Sequence, residues 1–224
     1  MKKGIPQEGL KIIACLTMLI DHIGATMVPE IGLRVIGRVA FPIYCFLLAE
    51  GIVHTRNPKK YAARLAVGAL LAEIPFDLLF FGELTLAHQS VMITLLLGFA
   101  MAMWAGKLGN ILLPFAVCFF AAEILGTDYG GFGVALIALF VVTAGKEQSF
   151  LIRLFGMIVL MWAMGSVKIP VAGALIPIQM FAVLAMIPIY FYSGGKATGN
   201  LWIQRVFYLF YPVHLAVLLI VTLL

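Results

Sequence analysis

The stretch GLKIIACLTMLIDHIGATMVP, Gly9 to Pro29, is 21 residues long and almost wholly apolar, yet it holds Asp21 and His22 side by side. About 20 apolar residues is what a helix needs to cross the hydrocarbon of a bilayer. Lipid supplies no hydrogen bonds, so a chain built of such stretches is confined to helices or a closed barrel. An ionisable pair placed there loses its water and must be compensated or used, which makes an intramembrane site the default reading.

A second stretch, IGLRVIGRVAFPIYCFLLAEGIVH from Ile31 to His54, follows at once, with Arg34 and Arg38 near its start and Glu50 near its end. Further apolar segments run over 61–81, 90–106, 110–126, 131–145, 150–168, 174–192 and 203–223. Composition agrees: of 224 residues 63% are hydrophobic and 11% charged, with mean hydropathy +1.10, beyond what a soluble domain carries. The pattern predicts an all-α polytopic membrane protein, one domain over 1–224, with about nine transmembrane helices in one bundle. The short segment 131–145 suits a tilted or re-entrant element, and counts of eight or ten fit as well. The first apolar segment is too long for a signal-peptide core and lacks a small-residue cleavage pattern, so it is expected to be retained.

Basic residues set the expected orientation, because Lys and Arg collect on the cytoplasmic side. With the N-terminus inside, Lys2, Lys3, Lys11, Arg56, Lys59, Lys60, Arg64, Lys107, Lys146, Arg153, Lys196 and Arg205 gather there; Arg34, Arg38 and Lys168 lie outside, a split of 12 to 3. The net charge of +5 is therefore a cytoplasmic rim, suited to anionic membrane lipids and anionic cytosolic substrates, and not a nucleic-acid face. Cys15, Cys45 and Cys118 show no metal or redox spacing and read as small apolar core residues, with no metal expected. Walker and dinucleotide-binding glycine motifs are absent from the sequence.

At about 1.5 Å per residue from Gly9, His22 lies roughly 20 Å into a core of about 30 Å, in its outer half. Asp21 shares a face with Ala14, Thr17, Gly24 and Ala25, small residues that admit a neighbouring helix. Arg34 and Arg38 enter from the outer side to a similar depth, and their pairing with Asp21 as packing glue is as well supported as a chemical role. Beside a carboxylate in a membrane, His22 is a candidate proton-transfer group. Glu73 and Asp77 lie at i and i+4 around Pro75, two carboxylates that repel unless a proton or cation intervenes, with Arg34 and Arg38 as natural partners. In the last segment Pro212 frees the Tyr208 carbonyl, Tyr208 and Tyr211 supply hydroxyls, and His214 divides evenly between support and chemistry. Glu50 faces the basic rim as a partner for Arg64 or a neighbour, His54 and His88 read as solvated, and Asp128-Tyr129-Gly130-Gly131 reads as a turn.

The blocks LKIIACLTMLIDHIG (10–24), GRVAFPIYCFLLAEG (37–51), HTRNPKKYAARL (54–65), EIPFDL (73–78), DYGGFG (128–133) and FYLFYPVHL (207–215) together resemble the TraX family of bacterial inner-membrane proteins, named for a protein required for N-terminal acetylation of F-pilin. That family in turn resembles a wider group of multi-helix membrane acyltransferases. The resemblance implies a membrane-embedded acetyltransferase that moves an acetyl group from cytosolic acetyl-CoA to an amine or hydroxyl acceptor, with a pilin-like peptide, a sugar or another small molecule as the acceptor. It implies His22 as base or acetyl carrier, Asp21 as its orienter, Arg38 and Arg34 stabilising the oxyanion or the carboxylate network, and His214 as the reserve base. Arg56, Lys59, Lys60 and Arg64 would hold the CoA phosphates; Glu73, Asp77 and Tyr211 complete the substrate-binding set. Two other readings stay open: a proton-coupled transporter, against which the lack of an inverted repeat counts, and a non-catalytic membrane assembly protein.

Overall fold

The computed structural model describes residues 4–145, 149–165, 167–171, 173–194 and 201–224, without the side chains of 201–204. Lys2, Lys3, Lys146 and Lys196 of the expected basic rim lie outside the described residues. The helices are α1 (Gln7–Thr26), α2 (Ile31–Gly37), α3 (Ala40–His54), α4 (Pro58–Phe80), α5 (Val91–Leu108), α6 (Leu112–Ile124), α7 (Gly130–Thr143), α8 (Ser149–Ala163), α9 (Met186–Tyr190) and α10 (Leu201–Leu223). An antiparallel hairpin of β1 (Lys168–Val171) and β2 (Ala174–Pro177) precedes a 3-10 helix, Ile178–Ala185, that runs into α9. Among the described residues the fold is all-α apart from that hairpin.

Among the described residues, four stretches are long and apolar enough to cross a membrane: Gln7–Thr26, Ile31–His54, Val91–Leu108 and Arg205–Leu223. Large apolar side chains stand exposed on many helices, among them Leu70, Leu112, Phe120, Leu151 and Phe155. Water would penalise such a surface and acyl chains accept it, so the protein is an integral membrane protein.

Two differences from the sequence pattern have local causes. The stretch Ile31–His54 is interrupted by a turn at Arg38 and Val39. Pro42 explains it: proline brings no N–H for the carbonyl four residues back, that of Arg38, and its ring crowds the same carbonyl. The segment 174–192, expected to be helical throughout, opens as a strand instead, with Lys168 opposite Pro177 and Val171 opposite Ala174 across a turn at Gly173, φ +84°. Hydropathy alone carries no information on that choice, whereas Pro170, Gly173 and Pro177 oppose a helix and favour a hairpin turn.

The chain forms two compact units that alternate in sequence, Met1–Leu47 with Gly145–Gln204, and Leu48–Ala144 with Arg205–Leu224. In the first, α1 packs on α2, and the 3-10 helix packs on α2 and α8. Its N-terminal segment is tied to the end of α9: Ile5 N–H donates to the Phe191 carbonyl (2.8 Å) and Ser193 N–H to that of Ile5 (3.0 Å). In the second, α5 packs against α4, α6 and α7. Gly98 permits the approach to α7, since a Cβ there would strike the Ile137 side chain, and Val134, Leu136, Ile137 and Phe140 are fully buried. The α4–α5 and α6–α7 connections are stitched together at one end of this unit, Gln89 N–H donating to Gly126 O (3.1 Å) and Asp128 N–H to Gln89 O (2.8 Å).

Candidate functional site

The polar groups of the first unit converge where α2 crosses α1. Gly37 makes the crossing close enough, because any Cβ there would collide with the Asp21 side chain, and Gly24 faces Leu33 in the same way. Both carboxylate oxygens of Asp21 accept from Arg38 Nη2, at 2.5 and 2.6 Å, and Oδ2 also accepts from Arg34 Nη1 at 2.8 Å. Arg34 Nη1 donates further to the Asp21 carbonyl (3.0 Å), and Arg38 Nε to the Arg34 carbonyl (3.2 Å). Asp21 and Arg38 are buried, whereas the Arg34 side chain stays 33% exposed. Two cations thus share the one Asp21 carboxylate. His22, the next residue on α1, is half-buried, and its carbonyl accepts from the Thr26 hydroxyl (2.8 Å).

The expected pairing of Glu73 and Asp77 with Arg34 and Arg38 gives way to donors within the second unit. Glu73 accepts from the Ser90 hydroxyl (2.6 Å) and from its backbone N–H (3.2 Å). It thereby satisfies an amide at the N-terminus of α5, where helices have unpaired donors and a positive dipole end. Asp77 accepts from Thr85 N–H (3.0 Å) through Oδ2. The Tyr211 hydroxyl lies against the Val91 backbone amide and within electrostatic reach of Glu73 and Asp128. Nearby, the Thr94 hydroxyl donates to the Asp128 carbonyl and Glu123 accepts from Gly131 N–H (2.7 Å), capping α7 behind Tyr129, whose φ is +66°. The sequence reading missed Ser90, although a serine directly before an apolar run is the usual start of a helix.

His214 is buried on α10, with Nδ1 2.7 Å from the Phe210 carbonyl and its ring stacked on Phe210 at 4.9 Å. A carbonyl partner requires Nδ1 to be the donor, so in the neutral ring Nε2 keeps the lone pair. His54 uses Nδ1 on the Glu50 carbonyl (2.8 Å), and His88 stacks on Phe81 (4.7 Å). The three cysteines are buried free thiols, with Cys15 Sγ 3.2 Å from the Tyr44 hydroxyl.

The predicted basic set divides. Arg56 and Lys59 are exposed at the turn between α3 and α4, where Asn57 caps α4 by accepting from Lys60 N–H (3.0 Å). Lys60 and Arg64 line a groove of about 390 Å³ between α4 and α10, together with Arg205. The Arg64 guanidinium lies over the rings of Tyr61 (5.4 Å) and Tyr208 (5.3 Å) rather than against Glu50. Sequence reasoning placed Arg205 on the rim without assigning it to a site, because its approach to Arg64 depends on α10 returning alongside α4.

The family described as TraX protein matches residues 6–222. The chain is 30% identical over 228 residues, 93% of its length and 92% of the relative's, to the "Probable fimbrial assembly protein FimC, serogroup H1" of Dichelobacter nodosus. It is 34% identical over 93 residues, 41% of its length and 34% of the relative's, to "Uncharacterized protein RP591" of Rickettsia prowazekii (strain Madrid E). No solved structure matches it significantly.

Proposed function

From the premise that this chain belongs to the TraX family, we propose that it is a membrane-embedded acetyltransferase taking acetyl groups from cytosolic acetyl-CoA and passing them to an amine or hydroxyl acceptor. The observation that carries the reading is an imidazole, His22, next to a carboxylate that two arginines share on a helix long and apolar enough to span a membrane. His22 accepts the acceptor's proton as its nitrogen or oxygen bonds to the acyl carbon, and returns a proton to the departing sulfur as the C–S bond breaks. Arg34, the more exposed member of the cluster, meets the negative charge that develops on the acyl oxygen; Arg38 holds Asp21 and fixes the position of α1 against α2. His214, whose Nδ1 donates to the Phe210 carbonyl so that the neutral ring carries its lone pair on Nε2, is the alternative base.

The phosphates of the donor fit cations that have no carboxylate partner, and among the described residues Arg56 and Lys59 have none. Replacing both by Gln is expected to raise the acetyl-CoA dissociation constant by roughly tenfold, about 1 kcal/mol being lost with each cation before screening. Titration in nanodiscs reads it; unchanged binding would leave the two residues as leaflet anchors.

The same reading puts the protein in the bacterial inner membrane with its N-terminus and the 54–64 turn in the cytoplasm. A cysteine introduced at Lys59, with Cys15, Cys45 and Cys118 replaced, is expected to react with an impermeant maleimide only after the cells are opened. Labelling of intact cells would reverse the orientation.

The relative named as a fimbrial assembly protein, aligned over nearly its full length, favours a second reading: a part in assembling fimbriae or pili without catalysis. Release of free CoA by the purified protein, given acetyl-CoA and candidate amine acceptors, decides between the two. Without release, the assembly reading stands.

A further inference from the structure

The α4–α10 groove has a polarity of its own. Lys60, Arg64, Val67 and Leu71 follow one another at spacings of four, three and four, so they share a face of α4, as Arg205 and Leu209 share one of α10. All three cations are in the first two turns of their helices, where the positive ends of the helix dipoles add to their field. Beyond them the walls are apolar: Val67 is 56% exposed, Leu71 51% and Leu209 47%. In an integral membrane protein those side chains face acyl chains. Neither Lys60 nor Arg64 has a carboxylate partner among the described residues, and Arg64 is held in place by the two tyrosine rings.

We infer that this groove binds an anionic glycerophospholipid, its phosphate held by Lys60, Arg64 and Arg205 and an acyl chain laid over Val67, Leu71 and Leu209. The charge order argues for a lipid over a soluble phosphate donor. A water-borne nucleotide would find its three cations backed by a wall that is apolar apart from Tyr208, whereas a phospholipid matches both the cationic end and the apolar length. A volume of about 390 Å³ holds a headgroup and the upper part of a chain. The cations need a net negative headgroup, which distinguishes phosphatidylglycerol from phosphatidylcholine. This assignment separates Lys60 and Arg64 from the acetyl-CoA site and does not depend on the protein being an enzyme.

The test is native mass spectrometry of the full chain released from nanodiscs of equal parts phosphatidylglycerol and phosphatidylcholine. Wild-type protein is expected to retain phosphatidylglycerol selectively, and K60Q/R64Q to retain it roughly 10–30-fold less, the loss of two cations at about 1 kcal/mol each. Because the double variant removes the Arg64 stacking, Val67→Trp provides a second arm: it fills the apolar wall, keeps every charge, and is expected to lower retention as well. Equal retention of both lipids by the wild type, or unchanged retention in both variants, overturns the assignment. So does a fall in acetyl-CoA affinity in K60Q/R64Q with lipid retention intact, which would return the groove to the donor.

Discussion

Asp21→Ala is expected to destabilise the protein by about 3–5 kcal/mol, the usual cost of removing one partner from a buried ion pair. The cost arises on the arginine side. Arg38, buried with its Nη2 between the two carboxylate oxygens, would be left as an uncompensated cation beside apolar packing, and Arg34 would lose its anchor to α1. Thermal denaturation in nanodiscs reads the loss. If the cost is electrostatic, Asp21→Leu combined with Arg34→Met and Arg38→Met should recover most of it, since apolar groups of similar volume often replace a buried ion cluster without penalty. An Asp21→Ala variant that melts with the wild type would show that the cluster contributes nothing to stability.

His22→Ala is expected to lower acetyl transfer by about 10²–10⁴-fold, the contribution of a positioned general base, with acetyl-CoA binding and the melting temperature unchanged. The separation matters because Asp21 is bound to both arginines, so that any loss in Asp21 variants combines unfolding with chemistry, whereas His22 is only half-buried. Single-turnover rates on folded protein distinguish the two. If His22→Ala keeps wild-type rates and His214→Ala abolishes them, the base is His214 and the roles of the two histidines are exchanged.

The spans were legible where hydropathy and helix geometry say the same thing, as for α1, α5 and α7, whose predicted limits lie within a few residues of the observed ones. Hydropathy reports the environment and not the backbone, so it missed the turn at Arg38–Val39 and the strand pair at 168–177, which have continuous apolar sequences. Prolines at 42, 170 and 177 were the available signal. Among the polar groups, the Asp21–Arg34–Arg38 cluster followed from their common depth on adjacent helices. The partners of Glu73 and Asp77 did not follow, because backbone amides compete with arginines for a carboxylate and leave no trace in the sequence. Arg205 near Arg64 was illegible for another reason: the two are 141 positions apart and only the tertiary path of α10 brings them to one groove.

The alternation of the two units along the chain has a consequence for how the protein is made. When the ribosome has delivered α1 to α7, neither unit is complete: the first awaits α8, the hairpin, the 3-10 helix and α9, and the second awaits α10. The α1–α2 contact is the exception, closed by ion pairs between residues 13 to 17 positions apart, and it compensates the buried Asp21 as soon as two segments have emerged. The amide at Val91, by contrast, must wait for α10 to bring Tyr211 to it. A message cut short after Gln204 thus yields a first unit with all its segments and a second that lacks Arg205–Leu224 and stays open in the bilayer.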